Sequence, residues 1–208
     1  LKTTSWAGFG HVNWSFGDDW SLAAGVRYTH EKKDYFRTTS AFFGPPLDAF
    51  SEDPQAVVPR QNKSWSAVTP SVSLQKQFTP QVMGYVSANR GFKSGGYNGR
   101  ANSPAEASSP LFDPEYVWTF EGGLKLRSAD SRAVANFAVF HSNYKDFQAR
   151  VSVINNPEDA IPDFSFPVLN AASMKIDGLE FEGMAQLDPR RILLVSDNGG
   201  KAALETVF

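Results

Sequence analysis

Side chains alternate with a period of two along most of this chain, and this pattern constrains the fold more than any other feature. Residues 5–16 place Trp6 and Trp14 on one face and mixed side chains on the other. A period of two is typical of β-strands, because successive side chains of a strand point to opposite faces. The turn composition Gly17-Asp18-Asp19 follows, and the alternation restarts at Trp20. These two runs predict a β-hairpin.

Five further stretches extend the predicted sheet, although the alternation is weaker in the fourth and ambiguous in the first half of the fifth. Their approximate bounds are 66–78, 82–93, 116–127, 133–154 and 169–187. Consecutive alternating runs joined by turns predict an all-β fold, an antiparallel up-and-down meander of about seven strands.

The connections between these runs alternate in length. Short turns are predicted at 17–19, 79–81 and 128–131, and long polar segments at 32–65, 94–115 and 155–168. This pattern is typical of a transmembrane β-barrel, which has tight turns at one rim and large loops at the other. Structureless loops of this length are uncommon in a compact soluble domain.

The two faces of the predicted strands differ in chemistry. One face carries small and aliphatic residues bounded by aromatic side chains, as expected of a lipid-facing band between two aromatic girdles. The predicted girdle residues are Trp6, Trp14, Trp20, Tyr28, Phe78, Phe92 and Tyr116. The opposite face carries charges, which a watery or plugged lumen tolerates. The predicted lumen-facing residues are Arg27, Glu31, Lys93, Glu121, Lys125, Arg127, Glu180 and Glu182. Lys76 and Arg90 fall on the apolar face near strand ends, from where each can extend to the membrane interface.

Composition narrows the functional classes. The 208 residues include no cysteine, which excludes disulfides, thiolate metal sites and cysteine nucleophiles. The formal net charge is −2 with both signs scattered, so there is no basic surface for nucleic acid. No stretch approaches the roughly 18 apolar residues of a membrane helix. The sequence begins at Leu1 without a visible signal peptide, as expected of a fragment.

Two alternatives stay open at the level of pattern. A soluble β-rich ligand- or carbohydrate-binding module also alternates, with one face packed into a core. A small outer-membrane barrel enzyme that hydrolyses lipids would need an outward-facing Ser–His pair, which the sequence does not offer. A soluble module is monomeric without detergent, whereas a barrel segment aggregates.

Five stretches resemble recurrent barrel segments of TonB-dependent outer-membrane receptors, in that family's order. They are Trp20–Asp34 (WSLAAGVRYTHEKKD), Tyr85–Asn98 (YVSANRGFKSGGYN), Phe112–Lys125 (FDPE, then TFEGGLK), Phe140–Gln148 (F, then NYKDFQ) and Asn170–Glu182 (NAA, then IDGLEFE). The resemblance extends over about residues 5–186, and the shared order of the five stretches makes it specific.

The resemblance implies a barrel of about 22 strands with an N-terminal plug inside. Such receptors take up scarce ligands, for example ferric siderophores, across the outer membrane of Gram-negative bacteria. Energy comes from the TonB complex of the inner membrane, which pulls on an N-terminal box. The chain offers no candidate for the plug or the box, and about seven strands do not close a barrel. We therefore expect a barrel segment in contact with outer-membrane lipid.

The resemblance divides the chain into two parts. Residues 1–187 are expected to be a segment of the receptor barrel. Residues 188–208 depart from the alternating pattern, with a short apolar run at 192–195 and a loop composition at 196–201. A frameshifted, chimeric or truncated end is the leading explanation for this atypical tail.

Binding is favoured over catalysis, and we predict no catalytic residue, no metal site and no cofactor. Aromatic and arginine side chains on the long loops are suited to stack on, and pair with, an anionic ferric chelate. The candidate ligand-binding residues are Tyr35, Arg37, Arg60, Tyr97 and Arg100. The alternative for these residues is that they pack the loops against one another. The sequence of this segment does not identify the ligand, because specificity also depends on the plug and on the other strands of the barrel.

Overall fold

A computed structural model of the protein describes ten stretches of the chain. They are residues 1–37, 40–42, 50–52, 58–98, 111–154, 157–158, 164–170, 173–188, 191–198 and 202–207. No helix in these stretches is long and apolar enough to cross a membrane. Arg100, a predicted ligand-binding residue, lies outside the described residues.

One antiparallel sheet of nine strands dominates the structure, and its strands follow one another in chain order. The strands are β1 (Lys2–Phe16), β2 (Trp20–Arg37), β3 (Val58–Thr79), β4 (Val82–Lys93), β5 (Glu115–Arg127), β6 (Ala133–Lys145), β7 (Met174–Asp188), β8 (Arg191–Asn198) and β9 (Ala202–Val207). The all-β up-and-down meander and the seven strands predicted up to residue 187 are confirmed. Strands β8 and β9 continue the sheet through the tail, and a frameshift or junction there stays a prediction.

Several strand bounds differ from the predicted ones. Strand β2 extends to Arg37 and β3 begins at Val58, so both reach far into the segment 32–65 that was predicted as a loop. The pairing there joins largely polar partners such as Lys33 and Lys63, which carry no apolar alternation. Strand β6 ends at Lys145 because Asp146 has a φ of 56°, in the left-handed region that interrupts a strand.

Short strands decorate the long-loop end of the sheet. The four pairs are Ser40–Phe42 with Phe50–Glu52, Gly96–Tyr97 with Leu111–Phe112, Gln148–Arg150 with Val168–Asn170, and Val153–Ile154 with Phe164–Ser165. Each pair lies within one long connection, so the long connections contain local hairpins instead of irregular chain only.

Tight turns join the strands at the other end. The β1–β2 turn uses Gly17 at a φ of 60°, a conformation that glycine adopts without steric cost. The β5–β6 turn holds Ser131 at a φ of 57° and is closed by a backbone bond of 2.8 Å from Ser128 N–H to the Ala133 carbonyl. We call this end the short-turn rim and the opposite end the long-loop rim.

The sheet has very little buried core. Among the described residues, the buried apolar side chains are Tyr35, Trp65, Ala67 and Tyr97, all near the long-loop rim. Large apolar side chains elsewhere are exposed, with Leu179 71% and Val12 65% accessible. No second layer within the described residues covers the apolar face. A soluble sheet buries that face, so its exposure is what a hydrocarbon-solvated wall requires.

Candidate functional site

Strand register sorts the predicted residues onto two faces of the sheet. The eight charged residues predicted to face the lumen lie on one face: Arg27, Glu31, Lys93, Glu121, Lys125, Arg127, Glu180 and Glu182. The seven girdle aromatics lie on the other: Trp6, Trp14, Trp20, Tyr28, Phe78, Phe92 and Tyr116. We call these the charged face and the apolar face. That they meet water and lipid respectively stays a prediction. The prediction that no Ser–His pair lies on the apolar face is wrong, because His30 Nδ1 and Ser66 Oγ are 2.9 Å apart there, and Ser66 Oγ also accepts from the Tyr28 hydroxyl at 3.1 Å.

Aromatic contacts on the apolar face concentrate at both ends of the strands. Near the long-loop rim the ring centroids of Trp6 and Tyr28 are 5.3 Å apart, and those of Phe92 and Tyr116 5.8 Å. Near the short-turn rim Phe16 stacks on Trp20 at 6.2 Å. Aromatic rings with this spacing favour one another beyond the area that they bury. The arrangement produces two aromatic bands separated by aliphatic and small residues.

A group of polar side chains occupies the charged face towards the short-turn rim. The Tyr85 hydroxyl donates to a Glu121 carboxylate oxygen at 2.6 Å, and the Lys125 ammonium lies 5.6 Å from the Tyr85 ring centroid. The Asn136 amide donates to Glu182 at 3.1 Å. With Glu180 these residues line a cavity of about 480 Å³. This lumen cluster (Tyr85, Glu121, Lys125, Asn136, Glu180 and Glu182) has three carboxylates and one ammonium, and it therefore suits a cationic partner.

Three aromatic rings form a buried group on the charged face near the long-loop rim. Tyr35 and Tyr97 stack with centroids 4.8 Å apart, and Trp65 meets Tyr97 edge-on at 6.4 Å. Tyr35 is only 5% and Tyr97 8% accessible. We call these three residues the rim cluster. Because Tyr97 follows β4 whereas Tyr35 and Trp65 belong to β2 and β3, the cluster docks the segment 94–98 across the sheet.

A glycine allows that segment to approach so closely. A Cβ atom placed on Gly95 would lie 2.5 Å from both the Phe112 carbonyl oxygen and the Trp65 Nε1 atom. The Lys33 ammonium donates to the Gly95 carbonyl at 2.7 Å and pairs with Glu31 at 2.9 Å. Glu31, predicted to face the lumen, is thus part of the support of this segment.

Polar side chains then tie the long loops to one another. The Gln148 amide donates to the Ser94 and Asp113 carbonyls, each at 3.0 Å. Asn98 exchanges two bonds with the backbone of Val168, at 3.0 and 2.7 Å. The Asn170 amide donates to Asp113 and Asp146 carbonyls at 2.8 and 2.9 Å. Asn98, Gln148 and Asn170, which we call the loop cluster, thereby connect the β4–β5 loop with the β6–β7 loop.

The candidate ligand-binding residues divide into two groups. Tyr35 and Tyr97 are stacked and covered, which is the arrangement that the packing alternative describes. Burial, followed by the negative charge of Asp34, raises the pKa of the Tyr97 phenol, so Tyr97 stays neutral at physiological pH. Arg60 is exposed and lines a cavity of about 390 Å³ with Tyr35 and Asp34. Arg37 lies at the end of β2. Ligand contact stays a prediction for these residues.

Sequence reasoning missed the residues that organise the long-loop rim. Trp65 lies in the part of β3 whose neighbours are polar, so no alternation marked it. Gln148 is 8% accessible and also receives support through its backbone N–H, which donates to Glu115 at 2.8 Å. A single glutamine in a polar segment carries no local signal of burial. The YVSANRGFKSGGYN stretch marked Gly95 only as part of a resemblance, and Tyr97 was predicted as a ligand-binding residue but not as part of a buried cluster.

Comparison with known proteins gives a consistent result. The family described as "TonB dependent receptor-like, beta-barrel" matches residues 1–205. The metal-pseudopaline receptor CntO of Pseudomonas aeruginosa is 28% identical over 131 residues, which are 63% of this chain and 16% of CntO.

Solved structures with the same fold include an uptake receptor and an import receptor. The ferric yersiniabactin uptake receptor FyuA from Yersinia pestis aligns with a TM-score of 0.70 at 17% identity, over 93% of this chain and 26% of FyuA. The ferric-catecholate import receptor Fiu from E. coli K12 aligns with a TM-score of 0.68 at 15% identity, over 98% of this chain and 28% of Fiu. The chain thus spans less than a third of the length of these relatives.

Proposed function

This chain belongs to the TonB-dependent receptor-like β-barrel family, and from that premise we propose that it forms part of the wall of an outer-membrane receptor. The receptor takes up a scarce ligand, such as a ferric siderophore, by energy-coupled transport through TonB. Its role is reception and passage of the ligand without covalent catalysis.

The observation that carries this proposal is the uncovered apolar face. Val86 is 59% and Val139 54% accessible in the middle of the sheet, and the aromatic bands lie at the two ends of the strands. Burial of this apolar surface stabilises by about 25 cal/mol per Å², so a protein that leaves it in water forgoes a large stabilisation. Hydrocarbon tails supply that burial. The same exposure disfavours the alternative of a soluble carbohydrate-binding module.

The lumen cluster supports a partner inside the barrel. Its excess of carboxylates is costly to enclose unless cationic groups neutralise it. A plug domain that presents arginine or lysine to Glu121 and Glu182 satisfies this requirement. The plug also carries the segment on which TonB pulls, so this partner connects the wall to energy coupling.

Two features support a metal chelate as the ligand class. The names of the relatives cite ferric yersiniabactin, ferric catecholate and a metal-pseudopaline complex. On this chain, exposed Arg60 stands beside a cavity at the long-loop rim, where a guanidinium can pair with the anionic groups of a chelate.

Transport in bacteria that express the full receptor tests the proposal. The receptor should fractionate with the outer membrane, and iron-limited cells should take up radiolabelled ferric siderophore only when TonB is present. Arg60→Ala should weaken binding roughly tenfold, which corresponds to about 1.4 kcal/mol. Lys145→Ala, at the same rim on the apolar face, is the matched control and should leave binding unchanged. A receptor recovered from the soluble fraction without detergent would refute the assignment.

A further inference from the structure

A groove crosses the apolar face close to the short-turn rim. Directly paired residues of four successive strands form one transverse row, Trp20, Lys76, Gly84 and Leu124. With Phe78 and the neighbouring Leu74 and Val86 they line a cavity of about 460 Å³. Strands β2 to β5 each have partners on both sides, so additional barrel strands can join only at the sheet edges and leave this groove uncovered.

Gly84 contributes no side chain to the row, and the edge of the Phe78 ring packs against its backbone beside the groove. A Cβ atom on Gly84 would lie 2.8 Å from the Phe78 ring and 3.3 Å from Leu124. At Gly122, in the next row, the atoms nearest to an added Cβ atom would be 3.8 Å away, which is an ordinary van der Waals contact. A larger residue at Gly84 would therefore displace the Phe78 ring or fill the depression. The floor is backbone whose hydrogen bonds are already made within the sheet, and the walls are Leu74, Val86 and Leu124, which suits a hydrocarbon chain.

A single cation stands at the end of this groove. The Lys76 ammonium lies 4.9 Å from the Trp20 ring centroid and 5.4 Å from that of Phe78. No carboxylate oxygen of the described residues lies within 4.0 Å of the Lys76 ammonium. Lys76 is three residues from the end of β3 at Thr79, and therefore about 7 Å from that rim for a strand tilted by about 45°. In the bilayer that the proposed function implies, with this rim at the membrane interface, Lys76 lies at the level of the lipid headgroups.

We propose that this groove binds one anionic phospholipid, with its phosphate at the Lys76 ammonium and an acyl chain along Leu74, Val86 and Leu124. The inference rests on the proposed function, because it requires the apolar face to lie in a bilayer. A lysine on a lipid-facing surface is costly unless it reaches the interface and finds an anion. The two rings hold the ammonium at that level, and the backbone around the groove is already paired, so it offers nothing to a peptide. Charge and shape together point to an anionic lipid.

Quenching of Trp20 emission by brominated lipids tests this site directly. The full receptor is reconstituted in phosphatidylcholine vesicles that contain either brominated phosphatidylglycerol or brominated phosphatidylcholine. The Trp20 signal is the difference in emission between the wild-type receptor and Trp20→Phe. Phosphatidylglycerol should quench it at a roughly fivefold lower mole fraction, the preference that one lysine confers near an anionic lipid. High salt should reduce that preference.

Matched variants separate the cation from the groove. Lys76→Gln should abolish the preference and Lys76→Arg should keep it. Gly84→Leu should also abolish the preference for phosphatidylglycerol, because the larger side chain fills the groove or displaces the Phe78 ring into it. Trp14, on the apolar face near the same rim, is the internal control. Its emission, taken as the difference between the wild-type receptor and Trp14→Phe, should be quenched equally by the two lipids.

Each outcome has a defined meaning. Equal quenching by both lipids in the wild-type receptor, or a preference that survives Lys76→Gln or Gly84→Leu, would overturn the lipid site and leave the barrel assignment intact. If neither lipid quenched Trp20, the apolar face would not lie in a bilayer, and the proposed function itself would fail.

Discussion

The two rims of the sheet are held together by different kinds of contact. At the short-turn rim the Gln77 amide donates to the Thr79 and Val82 carbonyls, at 2.7 and 3.2 Å, so its partners lie at most five positions away. At the long-loop rim Gln148 and Asn98 bind partners 54 and 70 positions away. The short-turn rim therefore combines such local bonds with a few between neighbouring strands, for example from the Arg132 guanidinium to the Leu187 carbonyl at 2.9 Å, whereas these long-loop bonds join segments that only the folded sheet brings together.

The two rims also differ in how deeply their polar side chains are buried. The rim cluster and Gln148 are buried, whereas the side-chain hydrogen bonds of Gln77 are exposed to solvent. A buried polar group that loses its partner pays the full cost of desolvation, but an exposed one returns to water. The long-loop rim should therefore be much more sensitive to substitution. This difference also explains how long loops can present a defined surface at the mouth of a barrel.

The largest expected effect is at Gly95. We predict that Gly95→Val lowers the free energy of unfolding of the receptor by about 3 kcal/mol, because the new side chain meets Phe112 and Trp65. Gly8→Val on β1, where nothing lies within 4 Å, should be close to neutral. Urea unfolding of the folded receptor in detergent, followed by tryptophan fluorescence, measures both. Equal midpoints would mean that the segment 94–98 is not docked on the sheet.

Substitution of Gln148 at the long-loop rim and of Gln77 at the short-turn rim tests the difference between the two rims directly. Gln148→Leu leaves the Ser94 and Asp113 carbonyls without their donors and should cost about 2 kcal/mol. Gln77→Leu removes the same number of bonds from exposed carbonyls and should change stability by less than about 0.5 kcal/mol. The same unfolding assay applies, with limited proteolysis of the loops as a second readout. A larger loss at Gln77 than at Gln148 would reverse the comparison.

The smallest effect concerns pH at the short-turn rim. Asp130 accepts a hydrogen bond from the Ser128 hydroxyl at 2.6 Å and another from the Arg132 N–H at 3.1 Å. The Ser128 bond, followed by that of Arg132, lowers the pKa of the Asp130 carboxyl. Its contribution is therefore present above the ordinary aspartate pKa and is lost as the pH falls towards the lower folded-state pKa.

The variant Asp130→Asn should remove this dependence. The difference in unfolding midpoint between the wild-type receptor and Asp130→Asn should be constant near neutral pH and shrink in strongly acidic buffer. A difference that grows on acidification would contradict the sign of the pKa shift. Because Asp130 is fully exposed, we expect the change to be small.

Prediction from sequence succeeded where a local rule was sufficient. Alternation placed Trp20 and Arg27 on opposite faces, and the structure has the same register without interruption through β1 and β2. The composition of residues 17–19 predicted a tight turn, and Gly17 adopts the left-handed conformation that such a turn uses. Prediction from sequence failed at Trp65 and Gln148, because their burial depends on segments that are distant in sequence.

The amino-acid sequence alone determined the strand faces, the short turns and the family, because each depends on side-chain period or on neighbours within a few positions. The tertiary structure alone decided that Tyr35 and Tyr97 pack on each other and that one glutamine joins two loops. It also decided that Lys76 stands beside an apolar groove. The physical reason is that strand pairing brings residues from distant positions into contact, and only the register of the whole sheet specifies which side chains then meet.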